Sequence, residues 1–137
     1  MKTFLDSSAF AKRFVNEAGS DKVERTCAQA SELGLSIICV PEIISALNRR
    51  RRERSLTDTQ YAQAKKQLLE EVRDADIVNL AVPVVGSAIG VLEENPIRAM
   101  DALHIACALE WGAELFVSAD KKQLSAARHA GMKTHQV

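Results

Sequence analysis

Short apolar runs alternate along this chain with longer segments of helical period, and few folds accept that alternation. Residues 2–5, 36–40, 77–82 and 114–118 each read as a buried strand bounded by a polar residue or proline, and residues 133–137 read as a weaker last one. Thr57-Asp58-Thr59-Gln60 is a capping box, opening a helix to about Asp74 with Tyr61, Ala64, Leu68 and Val72 on one face. Asn95 followed by Pro96 reads as an N-cap and first-turn proline ahead of a helix over residues 99–111. Gly112 is placed at the end of that helix, and Gly34 and Gly131 at the ends of others. Strands alternating with helices predict an α/β fold, a parallel sheet with helices on both faces. No repeat, linker or low-complexity stretch interrupts the pattern, so residues 1–137 are expected to form one domain.

Composition limits the partners. Lys plus Arg is 18 and Asp plus Glu is 18, so the formal charge of +0 excludes a uniformly basic coat that attracts phosphates in bulk. Aromatics at 4% exclude a surface built to stack many bases. A charged partner therefore requires local separation of charge. The N-terminal stretch is broken by Asp6, too early for a signal peptide, and no run approaches the roughly 18 apolar residues of a membrane span. A cytoplasmic protein without membrane contact is expected. Cys27, Cys39 and Cys107 are widely spaced and odd in number, which suits small buried hydrophobes in a reducing compartment better than a zinc site or disulfides.

In open parallel sheets, functional groups gather beyond the carboxyl ends of the strands. Asp6, Glu42 and Asp120 follow the first, second and fourth expected strands. Asp101 lies in the first turns of the helix after Pro96, whose following residues are apolar almost all round. A carboxylate on such a buried helix needs a partner, a cation or a wet end. Each of the other acids also has a structural reading. Asp6 before Ser7-Ser8 suits an N-cap, as does Asp120 with Gln123 three residues on, and Glu42 suits the positive end of a helix. Together, however, clustered carboxylates repel and raise one another's pKa unless a cation intervenes. An all-oxygen set suits Mg²⁺ or Mn²⁺ rather than zinc. The chemistry this points to is metal-dependent phosphoryl transfer.

Four stretches carry a family resemblance: Phe4-Leu5-Asp6-Ser7-Ser8-Ala9, Pro41-Glu42-Ile43-Ile44-Ser45-Ala46-Leu47, Met100-Asp101-Ala102-Leu103-His104-Ile105-Ala106, and Phe116-Val117-Ser118-Ala119-Asp120 leading to Ala126-Ala127 and Gly131. In this order they resemble a PIN domain, and within that superfamily the VapC-type toxin ribonucleases of toxin–antitoxin pairs. The resemblance implies a parallel sheet of order 3-2-1-4-5 and a Mg²⁺- or Mn²⁺-dependent endoribonuclease hydrolysing RNA phosphodiester bonds, the toxin of a type II pair. It places Asp6 and Asp101 as the most direct metal ligands, Asp120 as a further one and Glu42 as a catalytic acid acting through water. Ser8 and Ser118 match hydroxyl positions that orient the carboxylates. An RNA substrate of the tRNA or rRNA class, a cognate antitoxin and a homodimer come with it. Ser118 stands where threonine is commoner but keeps the hydroxyl, while Gln123 and Leu124 provide no further acid for a second metal. The alternative is a catalytically silent PIN-like module that binds RNA or protein.

Arg49, Arg50, Arg51, Arg52 and Arg54 form the one basic block. At about 100° per residue, Arg49 lies roughly 20° and Arg50 roughly 80° from the direction of Glu42. These two read as a phosphate-holding rim beside the acids, as a solvated helix end favoured by the dipole, or as a surface for an antitoxin segment. Arg51 and Arg54 continue the side that bears Ile43, Ile44 and Leu47. His104, one turn from Asp101, reads as a core-edge histidine, with a supporting place behind the acids as the alternative; His129 and His135 lack acidic partners at metal spacing, and Trp111 is expected to pack at a helix end. Ser7 and Ser8 have no His–Asp arrangement to make them nucleophiles. Phosphoaspartyl chemistry loses a reacting group. Ser8 stands where a dehalogenase-like phosphatase needs its second Asp, and Val82-Pro83 where a receiver domain needs its acceptor Asp.

Overall fold

The computed structural model describes residues 1–137. Five parallel strands, β1 (Lys2–Leu5), β2 (Glu32–Ser36), β3 (Asp76–Val78), β4 (Leu115–Ser118) and β5 (Lys133–Gln136), form one sheet of order β3-β2-β1-β4-β5. This is the expected 3-2-1-4-5 arrangement. Seven helices connect the strands: α1 (Ser7–Phe10), α2 (Ser20–Gln29), α3 (Cys39–Arg52), α4 (Asp58–Glu71), α5 (Val82–Glu94), α6 (Ala99–Trp111) and α7 (Lys121–His129).

Strand alternation divides the core between the two faces of the sheet. Phe4 and Phe116 point to one face and pack with Val84, Ala88, Ile105 and Leu124 from α5, α6 and α7. Their neighbours Leu5 and Val117 point to the other, where Phe10, Val23, Ile43, Leu47 and Leu68 from α1 to α4 cover them. The capping box at Thr57 and Gln60 forms as expected, and a 3-10 turn over Val72–Asp74 carries the α4 segment to its expected end.

Two expected strands are displaced or shortened. The second ends at Ser36, and the apolar run after it turns into α3, with Pro41 in the first helical turn where its missing N–H goes unneeded. A continuous apolar run does not by itself separate a buried strand from a buried helix start. The third strand stops at Val78 because Pro83 occupies the first turn of α5, a helix beginning at Val82 that the periodicity did not disclose. Gly34 ends no helix. It lies within β2, paired with Phe4, and a Cβ there would come within 2.8 Å of the Trp111 ring. Trp111 does pack at the end of α6, with its Nε1 donating to Asp76 Oδ2 at 3.1 Å. Asn95 caps the end of α5, donating to the Val91 carbonyl at 3.0 Å, rather than the start of α6. Arg98 is the N-cap of α6 and gives it no side-chain bond. The cysteines are free, and burial pushes the Cys39 thiol up to about 12, which leaves it inert.

Candidate active site at the carboxyl edge of the sheet

Asp6 is the first residue beyond β1 and the N-cap of α1. Its amide continues the β1–β4 ladder by donating to the Val117 carbonyl at 3.1 Å. The side chain is 3% exposed, and three donors take three of the carboxylate's roughly four lone-pair directions. Oδ1 accepts from Ser8 Oγ at 2.7 Å and from the Ala9 amide at 2.9 Å, while Oδ2 accepts from Ser118 Oγ at 2.5 Å. Burial raises the Asp6 pKa above 3.8 even though these three donors pull it down. Ser118 also accepts from the Asp120 amide at 2.9 Å, and Ser8 from the Ala119 amide at 3.0 Å. The two hydroxyls thus tie the end of β1 to the end of β4 and bond the Asp6 carboxylate between them.

Asp120 caps α7 through the Lys122 amide at 2.9 Å. Asp101 sits in the first turn of α6. Burial raises its pKa above 3.8, and the charge of Asp120 pushes it further; His104 opposes this, and Asp6 and Glu42 add smaller upward effects. Its electrostatics therefore register all three other acids. The capping readings of Asp6 and Asp120 are correct, and both caps lie on the edge where the acids meet.

Glu42 occupies the first turn of α3, six residues beyond the end of β2. Its Oε1 accepts from Ser7 Oγ at 2.7 Å and lies 2.5 Å from His104 Nε2, while Ser7 Oγ and Nε2 are 3.2 Å apart. A carboxylate only accepts, so Nε2 carries the hydrogen. Burial pushes the Glu42 pKa up, but the bonds from His104 and Ser7 win and hold it below 4.5. His104 is 2% exposed, and its Nδ1 has no partner. It is thus buried against the Glu42 carboxylate and the Ser7 hydroxyl, behind the acidic edge. Its spacing of three from Asp101 puts both on one side of α6, which is the signal the sequence holds for it. Ser7 serves as a positioning donor, a role that the missing His–Asp arrangement does not exclude.

Two clefts flank the acids. One, of ≈ 610 Å³, brings Asp101 and Asp120 together with Arg98, Lys121 and Lys122. The other, of ≈ 360 Å³, includes Ser7, Ser8 and Glu42 with Lys12, Arg49 and Arg50. Both arginines singled out in the sequence therefore reach the site's flank. Arg50 is already held by Glu17 at 2.7 Å, and Arg51 leaves for Asp58 at 3.8 Å and the face of Tyr61.

The donor chemistry fits a hard divalent cation: carboxylates of Asp6, Asp101 and Asp120, with repulsion that such a charge would relieve. No three His, Cys, Asp or Glu side chains are drawn tightly enough to enclose a cation. That is compatible with Mg²⁺, which keeps several waters and is commonly held by one or two carboxylates.

The fold is shared with several solved structures. VapC20 of Mycobacterium tuberculosis, a sarcin–ricin loop cleaving toxin, aligns over 99% of this chain and 100% of its own at 17% identity, with a TM-score of 0.73. DNA-bound VapBC of Salmonella typhimurium aligns over 99% of this chain and 98% of its own at 13% identity, TM-score 0.72. VapBC2 of Rickettsia felis, bound to a promoter DNA fragment, covers 100% and 99% at 12% identity, TM-score 0.71. At such identities the likeness establishes the fold alone. No curated protein sequence matches the chain. The family pattern of the PIN domain, by contrast, matches residues 3–129, from β1 to the end of α7. With sequence pattern and strand order in agreement over that length, the chain belongs to the PIN domain family.

Proposed function

We propose that this protein is a Mg²⁺- or Mn²⁺-dependent endoribonuclease that hydrolyses RNA phosphodiester bonds. The observation that carries the reading is the convergence of Asp6, Glu42, Asp101 and Asp120 at one sheet edge, close enough for the other three to raise the Asp101 pKa. Asp6, Asp101 and Asp120 would hold the cation, with Ser8 and Ser118 fixing the Asp6 carboxylate in one orientation. Bound there, a divalent cation supplies an activated water and offsets charge on an in-line phosphoryl transition state. Glu42, kept ionised by His104 and Ser7, is an acceptor for a proton on water at the site's rim.

The same reading makes the chain the toxin of a type II toxin–antitoxin pair, cytoplasmic, acting on RNA of the tRNA or rRNA class. Support comes from the neighbours, two of them VapBC assemblies and one a toxin that cleaves the sarcin–ricin loop. No helix is long and apolar enough to cross a membrane. A homodimer is part of it too. The outer face of α5 bears Val82, Val85, Ile89 and Leu92, of which Val82 is 86% exposed, and no atom lies within 4 Å of a Cβ built on Gly86 or Gly90. A second copy of this helix could pack closely there. Val85→Asp with Ile89→Asp should then shift the molar mass in solution from dimer to monomer; a monomeric wild type would remove this part of the reading.

The second reading, a silent RNA- or protein-binding module, draws on the absence of a closed three-ligand cluster. Cleavage separates the two. Purified protein should cut total tRNA or rRNA with Mg²⁺ or Mn²⁺ and stop with EDTA, and Asp6→Asn should lower the rate by at least ~100-fold. Equal cutting by the variant, or cutting indifferent to EDTA, would reject the nuclease reading.

A further inference from the structure

Most of the uncommitted positive charge beside the acids lies outside the basic block. On the Glu42 side, Glu17 lies 2.7 Å from Arg50 and 3.6 Å from Lys12, and Lys12 also donates to the Ala18 carbonyl at 2.6 Å. Those two cations are satisfied within the chain, Arg51 is engaged by Asp58 and Tyr61, and Arg49 is the one cation of this cleft without an ion pair. On the Asp101 side the balance is different. Arg98, Lys121 and Lys122 line one cleft with Asp101 and Asp120, yet none of the three forms an ion pair within 4.0 Å or a side-chain hydrogen bond. The same cleft receives the start of the 13-residue α6, where no side chain caps the backbone. Its first N–H groups and the positive end of its dipole add to the cationic wall.

We infer that the RNA strand lies across the cleft between the starts of α6 and α7, its phosphates held by Arg98, Lys121 and Lys122. The inference rests on the ribonuclease reading and locates the substrate within it. Free cations attract phosphates without first breaking an internal ion pair, whereas Arg50 and Lys12 would have to leave Glu17. Proximity favours the same side, since a phosphate held there lies beside Asp101 and Asp120. The alternating signs along this wall account for how a chain of zero net charge binds a polyanion.

The test is salt-dependent binding of a labelled single-stranded RNA, measured by fluorescence anisotropy in an Asp6→Asn background so that no cleavage occurs. Lys121→Ala with Lys122→Ala should weaken binding ~10-fold or more and make the salt slope shallower by about 0.7 for each phosphate no longer neutralised. Arg98→Ala should act in the same direction. Lys121→Arg with Lys122→Arg should restore most of the affinity, which rules out misfolding as the cause. Lys22→Ala with Arg25→Ala removes two free cations from the opposite end of the sheet and should change affinity less than ~2-fold. An equal loss from that distant pair would reduce the effect to net charge and overturn the inference. So would a larger loss from Arg49→Ala with Arg50→Ala. RNA binding that ignores Lys121 and Lys122 overturns the inference alone; no RNA binding by the parent protein overturns the ribonuclease reading with it.

Discussion

The two halves of the acidic edge are built on opposite principles. Around Asp6, a 3%-exposed carboxylate is held by Ser8, Ser118 and the Ala9 amide, so its orientation is fixed before any ligand binds. Around Asp101 and Asp120 the carboxylates face a cleft, and the charge of Asp120 is the leading partner effect on the Asp101 pKa. One half is a preorganised anchor, and the other holds repulsion that an added cation would relieve. A site assembled this way has one carboxylate fixed in place and others whose mutual repulsion a cation would relieve.

Metal addition offers the largest test of that contrast. If the open half is relieved by a cation, Mg²⁺ should stabilise the fold, by about 2.7 kcal/mol at one hundred times its Kd. Asp101→Asn should lose most of that stabilisation in a thermal melt. A full metal shift in the variant would show that the cation is held elsewhere.

Removing a hydroxyl from the closed half comes next. Ser118→Ala leaves Asp6 Oδ2 and the Asp120 amide without the partner they share, and the expected cost is about 1–3 kcal/mol in denaturant unfolding without metal. A negligible loss would mean that water reaches Asp6, and the two halves would differ less than their geometry indicates.

The smallest effect is the pH trend of the metal-free protein. Asp6 and Asp101 are raised above 3.8, so the folded chain holds their protons more tightly than the unfolded one. Their contribution to stability is complete below pH 3.8 and is lost as pH rises through the folded values. Glu42 runs the other way: lowered below 4.5, it stabilises above that pH and stops doing so as pH falls through its folded value. Acidification from neutrality toward pH 4.5 should therefore raise the melting temperature slightly, and Asp101→Asn should flatten the slope. A melting temperature that falls over this range would contradict the raised values.

Much of this was legible in the chain. Asp6, Glu42 and Asp120 reach the sheet edge expected of them because a parallel α/β sheet sends every strand's carboxyl end to the same side, and Asp101 joins them because α6 starts at that edge and leads back to the start of β4. The spacing of His104 from Asp101 left its place open between the core edge and the acids, because Ser7 and Glu42 meet it across separations of 97 and 62 residues. Helical period located Arg49 and Arg50 correctly beside the site, but nothing local revealed that Glu17 would occupy Arg50.

The sequence by itself determined what short-range chemistry encodes: the alternation that makes an α/β sheet, the caps at Asp6, Thr57 and Asp120, and the edge on which acids collect. Only the tertiary structure decided where the 36–40 run stops being strand, why Gly34 must lack a side chain beneath Trp111, and which cations stay free. Those outcomes depend on partners distant in sequence, and pairing at a distance leaves no periodic or local trace to read.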